Sequence, residues 1–328
     1  MKRFLVCLVL IFTLLFNVFA GNNKKAHKEL RKEFENYELL PELKARGFDL
    51  KKLDKIDDWE EMKNYLELFF IDENGMPLDN HVWISSNYTD MAKVRSQMRI
   101  DFSDEYGSKD ELLNKGYKED EIFYYPYFNG EWKDGYRVGK KFMGDEKDTE
   151  FKPNYLISSE KSLLFGFQNF GDNNEYYNEI SKSNKKYLIL DLSHNCGGQD
   201  TSYNSLIDAI NKMKPKEIFI MISDDSASMA EYATSWIEKA TNIKTTIVGY
   251  PSCGAWKCCG EYKTSYFDNF NIEYSLCGVF WEYYWDMYNI PYPIEGIGVT
   301  PDIYAETSFE SLEVIKHLIN DNELSLPY

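Results

Sequence analysis

The chain has 328 residues, 43% of them hydrophobic, enough for one large domain or a main domain with a smaller companion. Its 54 acidic and 37 basic residues leave a formal charge of −17, which excludes a basic face for nucleic acid or for an anionic membrane surface. The 25 tyrosines, 21 phenylalanines and 7 tryptophans exclude a disordered chain and predict a folded core with many half-buried tyrosines.

The first element is an export signal over residues 1–20. Lys2 and Arg3 precede an apolar run from Phe4 to Val18, and Val18 and Ala20 place small residues before a cut at Gly21. The run is short for a spanning helix, an uncleaved anchor being the alternative, so a membrane partner enters only if the segment is retained. Export places the mature chain outside the cell or in the periplasm or cell envelope, and there the "NYT" at Asn87 is a glycosylation site only in a secretory eukaryote. Removing the segment takes Cys7 with it and leaves Cys196, Cys253, Cys258, Cys259 and Cys277. In an oxidising compartment the four from Cys253 to Cys277 predict one or two disulfides pinning a loop, with an odd thiol left over. A zinc site is the alternative, but "CGAWKCC" lacks the paired spacing of a zinc motif, so no metal and no cofactor is expected.

Residues 21–85 read as a small helical subdomain. "KKAHKELRKEFENYELLPELKARG" is charged and helix-prone up to Pro41 and Gly47, and "DDWEEMKNYLELFF" repeats Trp59, Met62, Tyr65, Leu66 and Phe69 at helical spacing. "GMPLDNHVWISSN" follows as a polar turn and the start of a strand. From 86 to 160 the sequence is aromatic and rich in glycine and charge, predicting short strands and loops with no sign of a PDZ domain.

From 161 to 328 the pattern is that of an α/β core. "SLLFGFQNF", "YLILDL", "EIFIMI" and "KTTIVG" read as buried strands. Between them, Leu206, Ile207, Ile210 and Met213 mark one helix face, and Met229, Tyr232, Ala233, Trp236, Ile237 and Ala240 mark another. A β-α-β-α-β run with short connections is a right-handed parallel sheet. Loops after successive parallel strands emerge on one edge, so "SHNCGG" (193–198) and "DDSAS" (224–228) are expected side by side.

Ser228 has two readings. With Met229, Ala230 and Glu231 it fits a capping box, its hydroxyl satisfying an orphan N–H. Alternatively, a serine at a helix start has free N–H groups and the positive end of the dipole beside it, the setting of an oxyanion hole. Gly197 and Gly198 could supply the second N–H of such a hole, or could form an ordinary strand-to-helix turn.

"YLILDLSHNCGG", "SASMAE", "IVGYPSCGA" and "PIEGIGVTPDI" resemble, in order and approximate spacing, motifs of the tail-specific (C-terminal processing) and tricorn-like serine peptidases. The resemblance covers about residues 160–305 together with the helical start and "DNHVWI". It implies a crotonase/ClpP-like core, an acyl-enzyme mechanism and a peptide or protein substrate. It also implies Ser228 as nucleophile, oxyanion N–H groups from Met229 and from Gly197 or Gly198, and a structural Ser226.

For the base, the family divides. Its tail-specific members carry a lysine where this chain has Ala255, with Lys257 two places on. The tricorn-like branch takes a histidine from a turn before a strand, and "LDNHVWI" resembles that turn and nominates His81, whose alternative is a satisfied structural histidine. Glu295 of "PIEG" is the corresponding orienting acid, its alternative a strand-end carboxylate. His194 decorates the glycine turn and is the lesser candidate for base; His27 and His317 read as solvated. Ser193 stands where the family usually has arginine. The reading is an exported serine peptidase, against a silent peptide-binding relative or a crotonase-like acyl-transfer or hydrolase enzyme. The acyl enzyme would need a basic cluster for a nucleotide, which the glycine loop lacks.

Overall fold

The computed structural model describes residues 23–87, 90–145, 152–258, 260–279 and 282–328, with the side chains of 282–284 left aside. The export signal, Cys7 and Cys259 lie outside the described residues. Within them no helix is long and apolar enough to cross a membrane. They fall into two compact units, residues 23–96 with 257–279, and residues 97–256 with 282–328.

The first unit begins with the predicted helices. One runs over 23–36 and the next, Leu40–Ala45, starts around Pro41, whose missing N–H is harmless in a first turn. Trp59–Phe70 is capped by the Asp58 carboxylate, which accepts from the N–H of Glu61 at 3.0 Å. Its buried side chains are the five read from the spacing, joined by Phe70. They pack with Leu30, Phe34, Leu43 and Ile84 in one core. Met62 and Leu66 are wholly buried, worth roughly 1.5–3 kcal/mol each.

The unit also holds an antiparallel sheet, in the order Lys263–Tyr266, Asn271–Ser275, Trp83–Ser86 and Asp90–Met91. Half of that sheet is supplied by 257–279, a return of the chain that no local pattern announces. His27 is not solvated: its Nε2 lies 3.0 Å from Asp57 Oδ1 and its ring stands edge-on to Phe267. Tertiary packing overrides the lysine-rich neighbourhood there.

The second unit is built on a six-stranded sheet, ordered Ile303–Tyr304, Thr245–Gly249, Glu217–Ile222, Tyr187–Asp191, Ser162–Gly166 and Tyr155–Ser158. All neighbours are parallel except the last pair. Alternate residues divide the faces. Leu164, Ile189, Phe219, Met221 and Val248 pack with Leu312, Val314, Ile315 and Ile319 of the helix Ser308–Ile319. Phe165, on the other face, stacks on Tyr176 of the helix Asn174–Lys182. That helix packs on Asp200–Met213, which packs on Met229–Thr241. Because strand order advances steadily in one direction, right-handed crossovers put these three helices on one face.

The stretch expected to be irregular carries more order than its sequence shows. Gln97–Gly107, Tyr136–Gly144 and Ile122–Tyr124 form a three-stranded antiparallel sheet, with a hairpin of Tyr127–Phe128 and Glu131–Trp132 beside it. The irregularity between Phe102 and Tyr106 breaks the alternation a strand reading needs. His317 is exposed, as expected, with its ring stacked on Trp132 at 3.8 Å.

Candidate functional site

Three loops meet at the carboxyl edge of the large sheet. The first follows Tyr187–Asp191. Its Asp191 gathers the N–H and hydroxyl of Ser193 at 3.0 and 2.5 Å and the hydroxyls of Tyr155 and Tyr328 at 2.5 and 3.0 Å. Asn195, wholly buried, donates to the Phe167 carbonyl at 2.8 Å and accepts from the N–H of Gly197 at 2.9 Å. The second loop, Ser223–Ser228, is tied to the first because the N–H of Ala227 donates to the Asn195 carbonyl at 3.0 Å. The third, Tyr250–Trp256, joins through the N–H of Cys253, which donates to the Ser226 carbonyl at 2.9 Å. Ser226 is spent inside the turn, donating to the Leu192 carbonyl at 2.7 Å and accepting from the N–H of Ser223 at 2.9 Å.

Ser228 has φ 56° and ψ −121°; it keeps the capping-box arrangement, with Glu231 reaching back to its N–H, but its hydroxyl makes no cap hydrogen bond within hydrogen-bond geometry. An N-cap serine adopts extended backbone; this conformation suits glycine and costs a serine about 1–3 kcal/mol. Glu231 holds it. Its Oε2 accepts from the N–H of Ser228 at 3.0 Å and of Ala255 at 2.8 Å, and its Oε1 from the Ser252 hydroxyl and the N–H of Gly254, both at 2.6 Å. Burial drives the carboxyl upward to about 7 against the pull of these four bonds.

Gly197 and Gly198 have φ of 102° and 137°. A Cβ on Gly197 would come within 2.6 Å of Ser228 Cβ and 3.0 Å of the Met229 nitrogen. Only glycine leaves that space open. The N–H of Gly197 is engaged by Asn195, whereas those of Gly198 and Met229 donate to no described residue. Ser228, Met229 and the glycine pair are thus brought together. Glu295, buried, accepts from the N–H of Trp256 at 3.2 Å. His194 faces Asp225, Nδ1 to Oδ2 at 3.3 Å.

His81 stands in the other unit, in the turn before Trp83–Ser86. Its N–H donates to Asp79 Oδ1 at 2.9 Å, and Asp79 Oδ2 accepts from the Tyr37 hydroxyl at 2.9 Å. Asn80 fixes the same turn through two bonds to Ser96. Burial, with the Arg95 and Lys257 cations, pushes the ring down to about 3, and its Nδ1 is buried without a hydrogen-bond partner among the described residues. Burial raises Asp79. Lys257 is buried in this unit, its ammonium donating to the Leu78 carbonyl.

The expected disulfides are not formed between described cysteines, and Cys196 and Cys277 are free thiols. Sequence reasoning missed Asn195 and the four-donor role of Glu231. The "SASMAE" spacing flagged Glu231 as half of a capping box, but only the fold brings Ser252, Gly254 and Ala255 to it.

No protein-family model matches the sequence, and no curated protein matches it significantly. Among solved structures the chain is similar to a photosystem II D1 C-terminal processing protease, at 13% identity and a TM-score of 0.34 over 56% of this chain and 57% of that one. The chain therefore spans just over half the length of that protein. A protein of Bacteroides fragilis named as an S41 protease is similar at 10% identity and a TM-score of 0.34, over 74% of each chain. Mature CPAF is similar at 11% identity and a TM-score of 0.42, over 94% of this chain and all of that one. At these identities and TM-scores the likeness transfers neither activity nor site residues.

Proposed function

We propose that the chain is an exported serine peptidase of the tail-specific or tricorn-like kind, its α/β unit a crotonase/ClpP-like core. The observation that carries the reading is Ser228 itself. It is held in a strained conformation at a helix start, with the N–H of Met229, which donates to no described residue, behind the gap left by Gly197. Strain at a polar residue beside unspent donors is the mark of a functional site rather than of a cap.

In this mechanism the Ser228 hydroxyl attacks a peptide carbonyl and passes its proton to His81. The oxyanion is met by the N–H groups of Met229 and Gly198, the N–H of Gly197 being held by Asn195. Collapse of the intermediate expels the amine, which takes the proton from His81, and water then hydrolyses the acyl-enzyme. A ring pushed to about 3 stays in its base form at neutral pH but is a weak base. The imidazolium formed in the step needs a carboxylate beside it, the role proposed for Glu295.

The test is hydrolysis of unfolded casein by wild type, Ser228→Ala and His81→Ala. A loss of about a thousandfold in each variant is expected. Retained hydrolysis in Ser228→Ala refutes the nucleophile; none by folded wild type leaves a silent peptide-binding chain.

A further inference from the structure

A cavity of about 300 Å³ opens in the second unit between the strand Gln97–Gly107 and two of the loops just described. Arg99, Ile100, Asp101, Phe142, Asp224, Tyr250 and Glu306 line it. Asp224 belongs to the loop that ends at Ser228, and Tyr250 opens the loop after Thr245–Gly249. The Tyr250 hydroxyl pins the wall, accepting from the N–H of Ile100 at 2.6 Å and donating to its carbonyl at 3.1 Å.

Its charges are unevenly spent. Three carboxylates face one guanidinium. Glu306 is paired with Arg137 at 2.5 Å, outside the lining. Arg99 Nη1 lies 3.6 Å from Asp224, and Arg99 Nε donates to the Asp145 carbonyl at 3.2 Å. Two groups remain. Asp101 is exposed, and its carboxylate makes no hydrogen bond or ion pair with a described residue, Lys140 being its cross-strand ladder partner. Arg99 Nη2 is buried with no hydrogen-bond partner among the described residues, an unmet donor that a ligand acceptor would satisfy.

We propose that this cavity takes a lysine or arginine residue of the peptide substrate. The substrate's cationic head lies toward Asp101 and Asp224, its aliphatic stem lies on Ile100 and the half-exposed ring of Phe142, and a backbone carbonyl accepts from Arg99 Nη2. An acidic side chain would use Arg99 but meet the three carboxylates, and an apolar one would leave both unspent groups unanswered. The inference gives a substrate class to the peptidase proposed above and rests on that reading for its catalytic consequence, though not for binding.

The experiment measures binding by fluorescence anisotropy with the full chain carrying Ser228→Ala. The probes are fluorescein-labelled alanine peptides holding a single lysine, norleucine or glutamate. The lysine peptide is expected to bind about fivefold or more tightly than the norleucine peptide, less so at high salt. Asp101→Asn, an exposed change that spares the fold, should remove most of the difference. Equal binding of lysine and norleucine peptides, tighter binding of the glutamate peptide, or no binding up to millimolar concentration would overturn the proposal. A lysine preference in Ser228→Ala with no cleavage by wild type would keep the cavity and remove the peptidase.

Discussion

Replacing Ser228 with glycine should make the protein more stable while abolishing any chemistry at that position. The serine sits at φ 56° and ψ −121°, where a side chain costs about 1–3 kcal/mol. Glycine removes that strain but adds about 0.4–1 kcal/mol of unfolded-state freedom, so the net gain is about 0.5–2 kcal/mol. Alanine keeps the Cβ and the strain. Since the hydroxyl makes no cap hydrogen bond, Ser228→Ala should change stability by less than about 0.5 kcal/mol. Urea unfolding followed by tryptophan fluorescence reads both, because Trp236 and Trp256 lie buried in the same unit; equal slopes would show that only stability moved. A loss of about 1 kcal/mol in the alanine variant with no gain in the glycine variant is what an ordinary N-cap serine would give. That pair of results would refute the strained-nucleophile reasoning.

Gly197→Ala puts a Cβ 2.6 Å from Ser228 Cβ at a φ of 102°; thermal unfolding should show a loss of about 2–4 kcal/mol, and casein hydrolysis should vanish. Glu231, raised to about 7 by burial, holds its proton in the fold when the unfolded chain has released it. It therefore contributes stability below about pH 4.5 that is lost as pH rises towards 7, about 3 kcal/mol in all. Stability curves of wild type and Glu231→Gln should differ by that slope, and parallel curves would contradict it. His81 has the opposite sign. Lowered to about 3, it supports the fold above its ordinary value near 6.5, and that support drains away as pH falls towards 3. Direct titration of its ring carbons by NMR should show no midpoint between pH 5 and 8, and a midpoint near 6.5 would contradict the burial argument.

The large sheet was readable because its strands are short, apolar and evenly interrupted by amphipathic helices, a pattern that survives without tertiary information. Ser228 and the glycine pair were nominated by their place after parallel strands, and the helix Trp59–Phe70 by spacing alone. What stayed hidden depends on distant segments meeting. The strands Lys263–Tyr266 and Asn271–Ser275 join a sheet begun near Trp83. Likewise, Glu231 gains Ser252, Gly254 and Ala255 only when a later loop folds over the helix start. His27 was misread because a charged neighbourhood predicts solvent, while Phe267, far along the chain, covers the ring. The sheet from Gln97 to Gly144 escaped notice because its strands alternate poorly and contain an irregular register.

The central claim is that Ser228 is a nucleophile facing an oxyanion hole, and covalent capture tests it most directly. The full chain would be treated with a fluorophosphonate and the adduct mapped by peptide mass spectrometry, with Ser226→Ala and Gly197→Ala alongside. The account predicts one phosphonylated residue, Ser228, unaffected by Ser226→Ala and lost with Gly197→Ala. A folded wild-type protein that takes no label, or takes it at another serine, would contradict it.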